Sequence, residues 1–390
     1  MDFQNRHIVH LDLDTFFVSC QRLLDSSLIG KPVIVGGSSR RGVVASCSYE
    51  ARYYGVHSAM PMRMALRICP HATVVKGDMD VYAKKSDEVS QIIAEAAPVY
   101  EKASIDEFYM DITGMDRFFG CYKWTSELRQ KVIKETGLPI SFGLSPTKTV
   151  SKIATGEAKP QGQLQIKFAE VKPFLNPLSI QKIPMVGDAT YKTLSRVGIR
   201  TIRTLASMPE EVLIRLLGKN GSSLHRKANG VDSAPVVQYN ARKSISSERT
   251  FMRDSMDLVR LKALLVQMVE NLCFQLRAEG KVTSNIAVKI RYANFDTHTQ
   301  QARLAYTACD HILIKKALDL FDKLYQRRMM IRLVGIKLSG LVEGNYQISL
   351  FDDVTLINLY QAMDRVKNRF GKYAVQRASS LEALARGYGE

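Results

Sequence analysis

The chain has 390 residues, room for about two to four domains, and its 46% hydrophobic and 24% charged content excludes a disordered, collagen-like or fibrous protein. No apolar run approaches the roughly 18 residues that cross a bilayer, and the opening MDFQNRHIVHLDLD carries acids where a signal peptide is apolar, so a soluble, cytoplasmic protein is expected. The net charge of +17 is unevenly placed: residues 1–180 hold 22 basic and 19 acidic side chains, residues 181–340 hold 27 and 13, and residues 341–390 hold six of each.

In chain order, IVHLDLDTFFV sets carboxylates among apolar β-formers, the pattern of a core strand that ends at a site. PVIVGG predicts a second strand closed by a Gly pair, and VVASCSYEARYYG a strand that turns into a helix. Further strands are expected at ATVVKG, ASIDEFYMDIT and PISFGLS, with helices at about 81–97, 122–136 and 146–156. That order predicts an α+β fold with a mostly antiparallel sheet.

From about 170 to 235 the strand signals give way to short helices separated by Pro-x-Val-Gly and Val-Gly-Ile-Arg turns. The stretch QYNARKSISSE is Ser-rich, basic and aperiodic, and reads as a linker into another module. That module begins near 242, with a strand at 245–251, a helix at 257–279, strands at NIAVKIRY and ARLAYT, a helix at 310–328 and a strand at RLVGIKLSGL. Leu261, Leu264, Leu265, Met268, Val269, Leu272 and Leu276 keep the stripe of a core-facing helix. Past 343 come a short apolar stretch and an amphipathic helix at 354–370. The six cysteines are scattered, with no Cys-x-x-Cys pair and no His at zinc-ligand spacing, and read as reduced thiols.

A neutral first half beside a basic second half assigns chemistry and grip on a polyanion to different parts of the chain. Asp12 and Asp14 alternate along one strand and so share a face, and Asp106 and Glu107 supply two more acids at a second β-like segment. Carboxylates brought together repel unless cations accompany them, and hard oxygen donors without His or Cys select magnesium. Two such ions about 3.5–4 Å apart can clamp the attacking and leaving oxygens of a phosphoryl transfer. Asp-x-Asp alone also fits a haloacid-dehalogenase-type phosphatase, with Asp12 attacking and Asp14 as acid and base, although Phe16 stands where that family has a small residue.

Seven strings occur in order: HLDLDTFFVSC, VVASCSYEARYYGV, SAMP, SIDEFYMDIT, GLSPTKTVSKIATGEAKPQG, KIPMVGDATYKTL and VGIRTI. Together they resemble the Y-family translesion DNA polymerases, most closely the DNA polymerase IV type, over about residues 5–340. The resemblance implies a right hand: palm at 1–19 and 78–166, fingers at 20–77, a helical thumb with helix-hairpin-helix elements at 167–235, a linker at 236–241, an α+β little finger at 242–342 and a tail at 343–390. It also implies that Asp12, Asp106 and Glu107 are the catalytic, metal-binding acids of a two-magnesium site, helped by the Leu13 carbonyl, while Asp14 and Asp111 serve as hydrogen-bonding supports. Ser46, Tyr49, Arg52 and Lys159 match residues that hold the incoming deoxynucleoside triphosphate, and Phe17 matches the ring that excludes a ribose 2′-hydroxyl.

The thumb matches imply backbone contacts to primer-template DNA at Gly187 and Gly198, with Lys192, Arg196 and Arg203 nearby. Here the first hairpin departs from the usual Gly-x-Gly, reading Met185-Val186-Gly187, and Tyr191 replaces a small residue. Gln347, Leu350 and Phe351 resemble a sliding-clamp-binding peptide. The expected protein is a monomeric, low-fidelity, template-directed DNA polymerase with no membrane association. A nucleotidyl cyclase would need the acids without the basic half, and a non-catalytic DNA-binding protein would need the hairpins without the acids.

Overall fold

A computed structural model describes residues 5–37, 41–115, 120–238, 241–326, 328–344 and 354–380. The chain divides into two compact units, Met1–Asn240 and Ala241–Glu390.

The first unit is organised by strand β1 (Ile8–Leu13), which runs into helix α1 (Phe16–Leu24) through a turn where Thr15 takes φ 43°. A small sheet follows, made of β2 (Val33–Gly36), β3 (Val44–Cys47) and β4 (Thr73–Val75) with helices α2 (Tyr49–Tyr53) and α3 (Met62–Ile68), and it has its own core around Ile34, Val44, Val56 and Met62. Helix α4 (Met79–Ala96) leads to β5 (Tyr100–Lys102) and β6 (Glu107–Asp111), then α5 (Cys121–Thr136), β7 (Ile140–Ser145), α6 (Lys148–Ala158) and β8 (Gln163–Gln165). The central sheet has the order β5-β6-β1-β7-β8, antiparallel except for the β7–β8 pair.

Strand alternation gives this sheet two different faces. Val9, Leu11, Leu13, Phe108, Met110, Phe142 and Leu144 enter one core with Val89 and Ile93 of α4 and Leu128 and Val132 of α5. The opposite face carries His10, Asp12, Glu107, Tyr109, Ser141 and Gly143, as the pairings Asp12–Glu107, Asp12–Ser141 and His10–Gly143 require. Helix α6 covers this polar face at close range: a Cβ on Gly143 would lie 2.2 Å from the Ser151 carbonyl oxygen, so only glycine admits the helix there.

The rest of the unit is helical: α7 (Val171–Leu175), α8 (Asp188–Arg196), α9 (Ile202–Ser207), α10 (Glu210–Leu217) and α11 (Lys219–Ala228) share a core of Ile180, Leu194, Ile202, Leu205, Leu213 and Leu224. The chain leaving α11 is pinned to the central sheet. Asp232 accepts hydrogen bonds from the Thr149 N–H and hydroxyl, Arg6 donates to the Ala234 carbonyl, Val236 is buried against Ile8 and Tyr109, and the Val237 N–H donates to Glu101.

The second unit has a sheet ordered β11-β10-β12-β9, from β9 (Ser244–Ser255), β10 (Lys281–Tyr292), β11 (Thr297–Thr307) and β12 (Ile331–Glu343). Its one core face packs on α12 (Leu258–Ala278) and α13 (Asp310–Leu324), and the expected Leu261–Leu276 stripe is buried there. Helix α14 (Val354–Phe370) takes the bounds expected of the tail helix, but it is fastened to this unit by buried charges. Arg277 of α12 grips Asp364 through Nε and Nη2 at 2.6 and 2.8 Å and reaches Asp310 at 2.5 Å. Tyr360, 1% exposed, accepts the His311 N–H at 3.2 Å and lies 2.8 Å from its Nδ1. Among the described residues no helix is long and apolar enough to cross a membrane.

Candidate active site

The polar face of the central sheet gathers the predicted acids. Asp12 and Glu107 are direct cross-strand partners, and the Leu13 N–H donates to the Asp106 carbonyl at 3.0 Å, which hangs Asp106 from the end of β1. Asp106 precedes β6 in a turn, where its carboxylate accepts the Ser104 hydroxyl at 2.6 Å. Asp14 lies past the strand end, 1% exposed. It accepts the Ser141 hydroxyl at 2.9 Å and the Gln161 N–H at 2.6 Å. Asp111 sits at the far end of β6 with Thr113 and Arg6, away from the other acids.

Two lysines from α6 and its C-terminal cap complete the cluster. Lys159 pairs with Asp12 and stands 4.0 Å from Asp14, and Lys152 grips Glu107 at 2.6 and 2.7 Å. Burial pushes the Asp12 carboxyl up to about 6 against the pull of Lys159, with Asp106 and Glu107 adding repulsion. Glu107 is held down at about 2, first by His10 and then by Lys152, against burial. His10 is buried against Tyr109 with Nδ1 2.9 Å from Thr155 and Nε2 3.9 Å from Glu107; burial lowers its pKa against the pull of Glu107.

Of the expected triphosphate residues, Tyr49 brings its hydroxyl 3.5 Å from Asp14, and Arg52 lies over the Tyr49 ring at 5.1 Å. Ser46 is buried in β3. Tyr49 and Lys159 therefore meet the acids directly, while Arg52 joins through Tyr49. Phe17 is partly buried on α1 and stacks on Tyr82 with ring centroids 4.4 Å apart, and Phe16 beside it is core at 3% exposure.

Gly187, Gly198, Lys192, Arg196 and Arg203 are all exposed on the helical cluster. In the first hairpin the left-handed residue is Met185, at φ 80°, while Gly187 caps α8 at φ −86°; in the second turn Gly198 is left-handed at φ 81°. Gln347, Leu350 and Phe351 lie outside the described residues.

His10 and Lys152 escaped sequence reading as site residues, though both had a signal. His10 is two residues before Asp12 on the same strand face, and Lys152 is seven before Lys159, two helical turns along one side.

Among the described residues no group of three or more acidic, imidazole or thiol side chains stands in a metal-holding arrangement. Asp12 and Glu107, each partly buried, hold the Lys159 and Lys152 ammonium groups instead, and the donors on this face are hard carboxylate oxygens, the chemistry that divalent cations prefer. A direct consequence concerns stability. Because folding raises the Asp12 carboxyl from 3.8 to about 6, the folded state favours its proton, so that contribution is full below the unfolded value and is lost as pH rises through about 6. Asp12→Asn mimics the neutral form. By calorimetry it is expected to melt a few degrees above the parent at pH 8, from at most about 2–3 kcal/mol, with the gap closing as the pH falls towards 4.

Comparison with known proteins decides between the readings of this acid cluster. The model of the impB/mucB/samB family matches residues 11–156, and the model of that family's C-terminal domain matches residues 242–350. A DNA polymerase IV of Dehalococcoides mccartyi is 35% identical over 376 residues, covering 95% of this chain and 96% of the relative. The chain belongs to the impB/mucB/samB family, that of the Y-family DNA polymerases. A DNA polymerase IV of Methanoculleus marisnigri is 36% identical over 344 residues, covering 87% of this chain and 96% of the relative. Among solved structures, a Y-family DNA polymerase chimera superposes with a TM-score of 0.74 at 25% identity, covering 87% of this chain and all of that one. Membership makes this Y-family chain a DNA-directed DNA polymerase of the translesion kind. The phosphatase, cyclase and binding-only readings fall with it. Y-family polymerases use divalent metal ions, and their substrates are DNA and deoxynucleoside triphosphates.

Proposed function

We propose that Asp12, Asp106 and Glu107, with the Leu13 carbonyl, hold two magnesium ions at which a primer 3′-hydroxyl attacks the α-phosphorus of a deoxynucleoside triphosphate and pyrophosphate leaves. The observation that carries this reading is the cross-strand pairing of Asp12 with Glu107, with Asp106 hung beside them from the Leu13 amide. When bound, the metal ions supply charge stabilisation of the attacking and leaving oxygens.

The chain's own groups do the positioning. Lys159 and Lys152 sit on the carboxylates as resident cations and are within side-chain reach of an arriving triphosphate; Lys159, Tyr49, Arg52 and Ser46 bind its phosphates. Asp14 draws the Gln161 amide and Ser141 together behind Lys159 and so fixes the lysine's backbone. The palm is the central sheet with α4 to α6 (1–19 and 78–166), the fingers are 20–77, the thumb 167–235 and the little finger 242–342, with a linker at 236–241 that is anchored at its start. The exposed Gly187, Gly198, Lys192, Arg196 and Arg203 hold DNA backbone without reading sequence. The pattern Gln347-x-x-Leu350-Phe351 supports docking to a sliding clamp.

Phe17 is the sugar gate, its ring braced by the Tyr82 stack. Phe17→Ala is expected to cut the preference for deoxy- over ribonucleotides by at least tenfold in single-nucleotide insertion, with a smaller effect on deoxynucleotides. An unchanged preference would return Phe17 to the core and move the gate elsewhere.

A further inference from the structure

Helix α14 presents an outer face with one sign of charge. Between Val354 and Ser380 the basic residues are Arg365, Lys367, Arg369, Lys372 and Arg377, against Asp364 alone among acids, and Asp364 is already spent on Arg277. Arg365, Arg369 and Lys372 point outward with two large rings, Phe370 at 67% and Tyr373 at 52% exposure. Arg369 lies over the Phe370 ring at 5.1 Å and Lys372 over the Tyr373 ring at 5.2 Å.

The rings are held in place. Gly371, at φ 98°, ends the helix in a conformation that L side chains rarely adopt, and the Ala374 N–H returns to its carbonyl at 3.0 Å, forming the turn that displays Tyr373. On the inner side Arg377 reaches the Tyr360 hydroxyl at 3.4 Å and Glu270 at 3.3 Å, and the Ser380 hydroxyl donates to the Arg377 carbonyl. Two aromatic faces interleaved with three cations on a braced turn cost little to order on binding.

We propose that this face, Arg365, Arg369, Phe370, Lys372 and Tyr373, is a binding site for single-stranded nucleic acid. Unstacked bases can lie on the two rings while the cations meet the phosphates; in a duplex the base faces are covered and the rings have nothing to stack on. Charge complementarity selects a polyanion, and the alternation of Arg369 and Lys372 with the exposed rings of Phe370 and Tyr373 favours one whose bases can stack over an acidic peptide. The site goes beyond the catalytic reading and stands on separate residues, so primer extension distinguishes failure of one from failure of the other.

The test uses the full chain and a fluorescent oligo-dT of about 12 nucleotides, with a blunt duplex of equal length as control. Phe370→Ala with Tyr373→Ala is expected to weaken oligo-dT binding about tenfold or more while duplex affinity and extension of a short primer stay within twofold. Phe370→Tyr with Tyr373→Phe should retain binding. Arg365→Gln, Arg369→Gln and Lys372→Gln together should flatten the salt dependence of oligo-dT binding by about 2 in the log–log slope. Equal oligo-dT affinity in parent and ring variant overturns the proposal, as does a parallel loss on duplex, and an unchanged salt slope in the charge variant counts against it independently of how the ring variant folds.

Discussion

Glu107→Ala is expected to lower single-turnover nucleotide incorporation by at least about a thousandfold, some 4 kcal/mol of transition-state stabilisation, with duplex binding within a few-fold of the parent. Asp106→Ala should behave alike. Glu107 faces Asp12 across two central strands, and its carboxyl, held at about 2, is ionised at every working pH, so it offers a full negative charge to cations. The basic surplus lies elsewhere, in residues 181–340, so grip on the duplex survives. The variant also frees Lys152 from its partner, which adds positive charge near the phosphates and cannot by itself explain a loss. A residual rate within tenfold of the parent would mean that Glu107 is only a counter-ion for Lys152.

The second large effect is on stability. Arg277→Ala is expected to cost the second unit about 3–5 kcal/mol, because it leaves Asp310, fully buried, without its cation and releases Asp364 on α14. Urea titration followed by hydrogen exchange should show the α14 amides losing protection first, since that helix is held by charges where α12 and α13 are held by Leu and Phe. Arg277→Ala with Asp310→Asn should recover part of the loss, as the stranded charge is then gone. A loss below about 1 kcal/mol in the single variant would show that apolar contacts alone hold the helix.

The long elements were legible because their hydrophobic periods are strong. The expected helices at 81–97, 122–136, 257–279 and 354–370 fall within a few residues of α4, α5, α12 and α14, and the buried face of α12 is the stripe read from Leu261 to Leu276. The three-residue strands Tyr100–Lys102 and Gln163–Gln165 were not, since each edges the sheet, is only partly buried and offers no alternation to read. In the site, the acids were visible as types at a spacing, and the meeting of Glu107 with Lys152 was not, because it depends on α6 lying flush against Gly143. The docking of α14 was hidden for another reason. Its hold on α12 runs through Arg277, Asp364, Tyr360 and Arg377, residues whose polarity reads as surface until a partner for each is known.

The most direct measurement is insertion of single deoxynucleotides on a primer-template under magnesium titration, with each of the four template bases in turn. Extension is expected to require magnesium, to follow the template base with modest discrimination, and to disappear in Glu107→Ala while that variant still binds the duplex. Extension that persists in full without divalent metal, or survives in Glu107→Ala, would contradict it.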